Sequence, residues 1–468
     1  MKYTFFLLAC LFTLNTQAQT YLTHARLVDP ITQKILPDQT IVYKGDTILQ
    51  VGSSKSIKTP KGATVIDASG KWVMPGMVDA HVHFFQTGGL YTRPDAIDLR
   101  KYKPYEQEMT WYKQHMDEQL RRYLAVGITT VIDDGATLAL LGQRDTFAAK
   151  TYAPRILMAG PLISTAYDPK PFDELSDPDQ PFYAVNTPEQ AVKQTQKEYP
   201  YHPDFIKIWY ILLSGDTRAA AEKNLPLVKA TIEEAHTHGY KVAVHATERI
   251  TAQLSVEAGA DFLVHDVEDE IVGDAFIRLL KDHHTVLCPT LVVVSGYFDT
   301  FSQHYTPTAE DVAIGDPEQL ASLQVLSHLE DTAISKRYKL LSSVRAKKEK
   351  TDDSVRKINL KKMADAGVII ATGTDAGNIG TLHASSFFKE LRAMQQAGLT
   401  NWQIITASTI NGARAVGKAS LFGSIQPGKA ADLLILNADP LADLANLRKL
   451  EGVIHRGMLT RPDTIRPR

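Results

Sequence analysis

Eight short apolar runs, rich in β-branched residues, recur along the middle of the chain and are separated by stretches with helical patterning. They read MVDAHVH, GITTVID, PRILMAG, DFIKIWY, KVAVHAT, DFLVHDV, TVLCPTLVV and GVIIATGTD. Short buried strands that alternate with helices indicate repeated β–α units and a parallel sheet. Eight such units predict an α/β fold of the (β/α)8 TIM-barrel type. An open doubly wound sheet is the alternative.

Runs that alternate between apolar and polar residues appear only at the two ends of this pattern. The N-terminal runs include YLTHARLVDP and QTIVYKGDTILQVG, and the C-terminal ones are GSIQPGKAADLLILNADP and EGVIHRGMLTRP. Such alternation is typical of half-buried strands. We therefore expect a small composite β-sandwich domain built from residues 19–74 and 418–468, and a barrel formed by residues 75–417.

The first residues, MKYTFFLLACLFTLNTQAQT, combine Lys2, an apolar run and a small-residue cleavage site at Ala18. This pattern predicts a signal peptide over residues 1–18 and an exported protein, periplasmic or secreted. A lipid anchor at Cys10, within LLAC, is the alternative. Cleavage after Ala18 would leave Cys288 as the sole cysteine, which excludes an intramolecular disulfide.

The charge balance excludes some classes of partner. The 468 residues include 51 Lys and Arg and 53 Asp and Glu, for a formal net charge of −2. The sequence has no excess of positive charge that would attract nucleic acid or anionic lipid. No segment after the predicted signal peptide is long and apolar enough to form a membrane span. We expect a small-molecule substrate, and the sequence leaves a homo-oligomer open.

Two histidine pairs share the same spacing, His81 with His83 and His236 with His238. Alternate residues share one face of a strand, whereas a step of two on a helix points side chains in nearly opposite directions. The first pair ends the strand-like run MVDAHVH. The second ends LPLVKATIEEAHTH, where Pro226 indicates a helix start. We therefore expect the first pair to be the candidate metal ligands and the second pair to be exposed.

Further polar residues lie at the ends of the other predicted strands. In a parallel barrel the C-terminal ends of all strands meet at one mouth, and imidazoles and carboxylates are ligands of transition metals. A single histidine at such a place is more often structural, but a whole set predicts a metal centre. The set comprises His81, His83, Lys207, His245, His265 and Asp375.

The sequence resembles the amidohydrolase superfamily of metal-dependent hydrolases, in particular its imidazolonepropionase-like and prolidase-like branch. The motifs that carry the resemblance are MPGMVDAHVH, GITTVIDDG, DFIKIW, VAVHA, GADFLVH, TGTDAG and STINGARAVG, in this order. Ile132 and Asp266 depart from the pattern of many relatives. These departures leave the substrate subgroup open but do not affect the metal site.

The resemblance implies a two-metal centre in which His81, His83 and Asp375 bind one ion. His245 and His265 would bind the second, and Lys207, carboxylated by CO2, would bridge the two together with a hydroxide. Zinc suits these ligands, and manganese, iron or cobalt could fill the same site. Asp375 would take the proton from the attacking hydroxide and pass it to the leaving amine.

On this basis we expect an exported amidohydrolase that cleaves an amide C–N bond of a dipeptide or an N-acyl amino acid. The alternative is a mononuclear enzyme that opens a cyclic amide, as an imidazolonepropionase does, or deaminates a ring. In that case Glu248, three residues after His245, would carry the proton. Without such a role, Glu248 would be a carboxylate in the first turn of a helix, where the helix dipole favours negative charge. A barrel that binds a ligand without catalysis is the third hypothesis, and it would require a lost metal site.

Three insertions that follow predicted strands are expected to shape specificity. They span residues 84–110, 164–188 and 295–344. Tyr297, His383 and Arg93 are the candidate substrate contacts. Arg93 is included because a guanidinium can bind a carboxylate through two hydrogen bonds. The structural interpretation of His383 is a residue at a helix start.

Overall fold

A computed structural model describes residues 18–166, 170–172, 175–212 and 217–467. Most of the predicted signal peptide, including Cys10, lies outside these residues. None of the described helices is both long and apolar enough to cross a membrane.

The described strands form one mixed sheet and two parallel sheets. Their bounds are β1 (Thr20–Asp29), β2 (Lys34–Lys44), β3 (Thr47–Ser53), β4 (Thr64–Asp67), β5 (Trp72–Pro75), β6 (Met77–Val82), β7 (Ile128–Asp133), β8 (Arg155–Met158), β9 (Leu162–Ser164), β10 (Phe182–Ala184), β11 (Ile206–Trp209), β12 (Val242–His245), β13 (Phe262–Val264), β14 (Val286–Cys288), β15 (Ile369–Ile370), β16 (Leu433–Leu436), β17 (Leu450–His455) and β18 (Met458–Thr460).

The described α-helices lie mainly between the parallel strands. Their bounds are α1 (Tyr105–Ala125), α2 (Leu138–Leu141), α3 (Arg144–Ala148), α4 (Pro188–Glu198), α5 (Thr217–Thr237), α6 (Arg249–Glu257), α7 (Asp274–Asp282), α8 (Val292–Phe301), α9 (Ala309–Ile314), α10 (Pro317–Ser322), α11 (Thr332–Asp365), α12 (Ser385–Gln396), α13 (Asn401–Thr406), α14 (Gly412–Ala415) and α15 (Pro462–Ile465).

The two ends of the chain share the mixed sheet, whose order is β18-β17-β16-β5-β1-β2-β3, with β4 paired to β1. The two ends meet where β5 pairs with β16 antiparallel, with Pro75 opposite Leu433. Pro75 is followed almost at once by β6, so this sheet leads directly into the strand that carries the first histidine pair.

All eight predicted strands of the middle region are present in the two parallel sheets, ordered β6-β7-β8 and β10-β9-β11-β12-β13-β14-β15. Hydrogen bonds connect the two sheets at both sides: Ala80 N donates to Thr372 O at 2.8 Å, and Asp204 N donates to Met158 O at 2.9 Å. All six residues of β6 are buried. This burial is expected of a parallel strand covered on both faces.

Two element boundaries differ from the sequence-based expectation. The seventh predicted strand ends at Cys288 because Pro289 has no backbone N–H to extend the ladder, and α8 begins at Val292 instead. The prediction of a helix start at Pro226 is wrong: α5 begins at Thr217, and Pro226 lies inside it. The preceding residues, RAAAEKN, have high helix propensity, which outweighs the proline signal.

Candidate active site

His81 and His83 lie at the end of β6 and face a cavity of about 370 Å³. Their Nε2 atoms are 3.1 Å apart. Asp375 Oδ1 lies 3.3 Å from His81 Nε2 and 3.1 Å from His83 Nε2. The three side chains are buried, and their potential ligand atoms all lie within 4.8 Å of one another. The two rings therefore lie on the same face of the strand and point to the same part of the cavity, as the strand interpretation of this HxH pair predicts.

A second group of predicted ligands lines the same cavity. The rings of His245, the last residue of β12, and His265, just after β13, have centroids 4.4 Å apart. His265 Nε2 lies 4.0 Å from Asp375 Oδ2. Lys207, in β11, is fully buried and also lines the cavity. The structure thus brings together all six residues of the predicted set.

Two of the rings are held by hydrogen bonds at Nδ1. His83 Nδ1 lies 3.1 Å from the carbonyl oxygen of Gly135, and His265 Nδ1 lies 2.6 Å from Thr290 Oγ1. A partner at Nδ1 fixes the tautomer and the ring orientation of a metal-binding histidine, so that Nε2 is left for the ion. The arrangement is therefore suited to ligation through Nε2.

The backbone is strained where two of the predicted ligands occur. His265 has φ of 75° and Asp375 has φ of 57°, in the left-handed region that residues other than glycine seldom adopt. Glycine is required nearby at Gly373, where a Cβ atom would lie 2.7 Å from His81 N and 2.5 Å from Cys288 Sγ. Strained residues of this kind cluster at functional sites.

Burial sets the protonation of the site. It lowers the pKa of His81, His245 and His265 well below the ordinary value, and the charge of Lys207 adds to the effect. Burial acts to raise the pKa of Asp375, but hydrogen bonding and charge from the facing His83 outweigh it, and the net pKa is lowered. Neutral imidazoles and an ionised carboxylate are the forms that ligate a cation, so the residues present fit a divalent transition metal.

Arg93 and Tyr297 also line the cavity, and both contact Asn378. Arg93 Nη1 and the Tyr297 hydroxyl donate to Asn378 Oδ1 at 2.6 and 2.7 Å. The Arg93 Nε and Nη2 atoms donate to the two oxygens of Asp95. Sequence reasoning missed Asn378; its position three residues after Asp375, in GTDAGN, was the available signal.

Two other candidates are not among the described residues that line the cavity. His383 is buried, with Nδ1 2.9 Å from the Tyr123 hydroxyl and Nε2 2.9 Å from Gln86 O, so both of its nitrogens have partners within the protein. Glu248 precedes α6 and accepts a hydrogen bond of 3.0 Å from the Thr251 hydroxyl. The exposed positions expected for His236 and His238 are confirmed, with side chains 41% and 46% exposed.

Three aromatic side chains form one wall of the cavity, which we call the aromatic arc: Phe85, Phe182 and Trp209. The Phe182 ring centroid lies 6.0 Å from that of Phe85 and 4.8 Å from that of Trp209. The arc reaches both histidine groups, because Phe85 lies 5.6 Å from His83 and Trp209 lies 6.1 Å from His245. It presents an apolar surface directly beside the predicted metal ligands.

Comparisons with known proteins cover nearly the whole chain. The model of the amidohydrolase family matches residues 72–459. An uncharacterized protein of Mycobacterium tuberculosis is 24% identical over 431 residues, which are 90% of this chain and 93% of that protein. An imidazolonepropionase of Porphyromonas gingivalis is 43% identical over 76 residues, 16% of this chain and 18% of that protein. A solved Xaa-Pro dipeptidase with methionine in its active site has a TM-score of 0.67 at 22% identity and covers 95% of this chain and 100% of its own.

Proposed function

The chain belongs to the amidohydrolase family and is a hydrolase that acts on carbon–nitrogen bonds, and from this premise we propose that it cleaves the amide bond of a dipeptide or an N-acyl amino acid at a centre of two divalent metal ions. The observation that carries the proposal is the position of Lys207. Lys207 is itself buried and lines the same cavity as both histidine groups and Asp375.

The proposed ligands form two groups joined by one lysine. His81, His83 and Asp375 would hold one ion, and His245 and His265 would hold the other. An ammonium cannot ligate a cation, whereas a carboxylated Lys207 offers two anionic oxygens that can join both groups. The ions, zinc in this proposal, would supply Lewis acidity that lowers the pKa of water and polarises the scissile carbonyl.

Asp375 is the residue that we assign to proton transfer. Its Oδ1 accepts a hydrogen bond from Asn378 Nδ2 at 2.7 Å and faces His81 and His83 at the end of β6. This leaves Oδ2 as the oxygen that can accept a proton from the attacking water and return it to the leaving amine. The lowered pKa of Asp375 keeps it in the basic form before reaction.

The walls of the cavity support a substrate of dipeptide size with an apolar group. A cavity of about 370 Å³ lies in the range that holds small ligands. The aromatic arc would pack against an apolar side chain, and the N–H groups of Arg93 that Asp95 and Asn378 leave unused could bind the substrate carboxylate. The solved Xaa-Pro dipeptidase, a dipeptide-cleaving protein of similar fold, is in keeping with this substrate class.

We propose further that the two parallel sheets close into one (β/α)8 barrel and that the mixed sheet belongs to a β-sandwich domain. The hydrogen bonds from Ala80 to Thr372 and from Asp204 to Met158 support closure. The N-terminal sequence pattern supports export to the periplasm or the exterior.

A mononuclear cyclic-amide hydrolase that uses Glu248 is the second candidate, favoured by the 76-residue stretch that is similar to an imidazolonepropionase. A panel of dipeptides, N-acyl amino acids and cyclic amides separates the two. We expect amine release from the first two classes, loss of that release in Asp375→Asn and its retention in Glu248→Gln. Turnover of cyclic amides alone, lost in Glu248→Gln, would favour the second candidate.

A further inference from the structure

Asp134 is a buried carboxylate that contacts two of the proposed metal ligands. It follows β7 and is fully buried. Its Oδ2 atom accepts a hydrogen bond from Lys207 Nζ at 3.4 Å and lies 3.7 Å from His81 Nδ1. Its Oδ1 atom has no hydrogen-bond partner among the described residues. Burial of a carboxylate with so few partners costs folding free energy, which indicates a functional reason for its position.

The position of Asp134 extends to His81 a pattern seen at two of the other rings. His83 and His265 each have a partner at Nδ1, the carbonyl of Gly135 and the hydroxyl of Thr290. Among the described residues, His81 Nδ1 has no hydrogen-bond partner, and the Asp134 carboxylate is the acidic group that faces it. Carboxylates in this position orient metal-binding histidines and raise their basicity.

We propose that Asp134 is a positioning residue of the metal centre, where one carboxylate oxygen holds both Lys207 and the Nδ1 side of His81. This inference deepens the proposed function and rests on it. It connects a ligand of the first ion with the lysine that would join the two ions. Replacement of Asp134 should therefore weaken binding of both metal ions. Asp134 is not part of the aromatic arc that would contact substrate.

The contact with Lys207 survives the chemistry that the lysine would undergo. Carboxylation forms a bond between Nζ and the carbon of CO2, and the ammonium loses two protons as it becomes an anionic carbamate. The carbamate nitrogen keeps one N–H, and Asp134 Oδ2 can accept a hydrogen bond from it. Asp134 would thus pair with the ammonium before carboxylation and fix the direction of the carbamate afterwards.

The neighbouring acid, Asp133, has a different task. Its Oδ2 accepts a hydrogen bond from Phe84 N at 3.2 Å, and its Oδ1 accepts one from Gly135 N at 3.2 Å. These backbone contacts hold the turns after β6 and β7. The contact with Lys207 therefore distinguishes Asp134 within the pair DD of VIDDG.

The first test uses metal-free protein and does not depend on activity. Melting temperatures are compared for the parent, Asp134→Asn, Lys207→Met and the double variant. We expect each single variant to melt several degrees lower, because each leaves a buried charge without its partner, and the double variant to recover part of the loss. Glu198→Gln, at a buried carboxyl group on α4, is the control for the exchange of a buried carboxyl group for an amide. Additive effects of Asp134→Asn and Lys207→Met would overturn the contact.

The second test measures zinc affinity by competition with a chelator, together with the 13C signal of a carbamate after incubation with labelled bicarbonate. We expect Asp134→Ala to weaken zinc binding by about 10–100-fold and to lose the carbamate signal, with a smaller loss in Asp134→Asn, whose amide oxygen can still accept. Parent-like affinity and signal in a folded Asp134→Ala variant would overturn the positioning role. A parent that itself binds no pair of ions would instead contradict the proposed function, and the melting data would still decide the contact with Lys207.

Discussion

Asn378 Nδ2 donates a hydrogen bond of 2.7 Å to Asp375 Oδ1, the oxygen that faces the Nε2 atoms of both His81 and His83. The same amide accepts hydrogen bonds from Arg93 and Tyr297 through Oδ1. One side chain from the loop after β15 thereby connects Asp375, the proposed proton-transfer residue, to two insertions at the cavity. Mobility of Asp375 is limited by residues that are distant from it in sequence.

Replacement of Asn378 by Ala should lower kcat by about 10–100-fold, with a smaller effect on KM, because the amide orients Asp375 and does not have to touch substrate. Steady-state kinetics with a dipeptide substrate checks this. Tyr297→Phe is the matched control, since it removes only one of the bonds that orient the amide and should lose less. An Asn378→Ala variant with parent-like kcat would show that Asp375 needs no such support.

Arg93 is expected to recognise the free carboxylate of the substrate. In the variant Arg93→Met with Asp95→Asn, which avoids an unpaired Asp95, kcat/KM for a dipeptide should fall by about 10–100-fold through loss of a charge-assisted contact. The same variant should treat a dipeptide amide much as the parent does. Equal losses for both substrates would assign Arg93 a structural role alone.

The aromatic arc should set a preference for apolar side chains. Phe182→Ala removes its central ring, and we expect the preference for a phenylalanyl over an alanyl substrate to fall by about 10-fold, the scale of a lost apolar contact. Ratios of kcat/KM measure this. Phe298→Ala is the control, because Phe298 lines a different groove. An unchanged ratio in Phe182→Ala would show that the aromatic arc does not set this preference.

The arrangement of the strands and ligands follows from the sequence to a large extent. The runs that contain His81 and precede Asp375 are short, apolar and bounded by turn residues, so their pattern predicts the strands β6 and β15. The residues that hydrogen-bond to these ligands could not be predicted from the sequence. Asn378 and Asp134 are ordinary polar residues in sequence, and only tertiary contacts show that they hold Asp375 and Lys207. For His383 the structural interpretation agrees with the structure, because hydrogen bonds to Tyr123 and Gln86 hold its ring in the protein interior.

The buried Glu390 should give the stability of the protein a distinct pH dependence. Burial raises its pKa from 4.5 to about 8, although the backbone N–H groups of Leu291 and Val292 act to lower it. Since the folded-state pKa is raised, its contribution is complete below 4.5 and is lost as pH rises towards 8. The contribution of Glu390 to the free energy of unfolding should fall by about 1 kcal/mol per pH unit in this window. Denaturant unfolding of Glu390→Gln should lack this slope, whereas a variant at the exposed Glu106 should keep it.

The most direct test of the two-metal account is the metal content per chain of the purified protein beside its Lys207→Ala variant. We expect about two ions in the parent and about one or fewer in the variant, because Lys207 is the residue proposed to join the two ligand groups. One ion in both proteins would contradict it. That result would show that Lys207 does not bridge two ions, and it would favour the alternative in which Glu248 transfers the proton and the substrate is a cyclic amide.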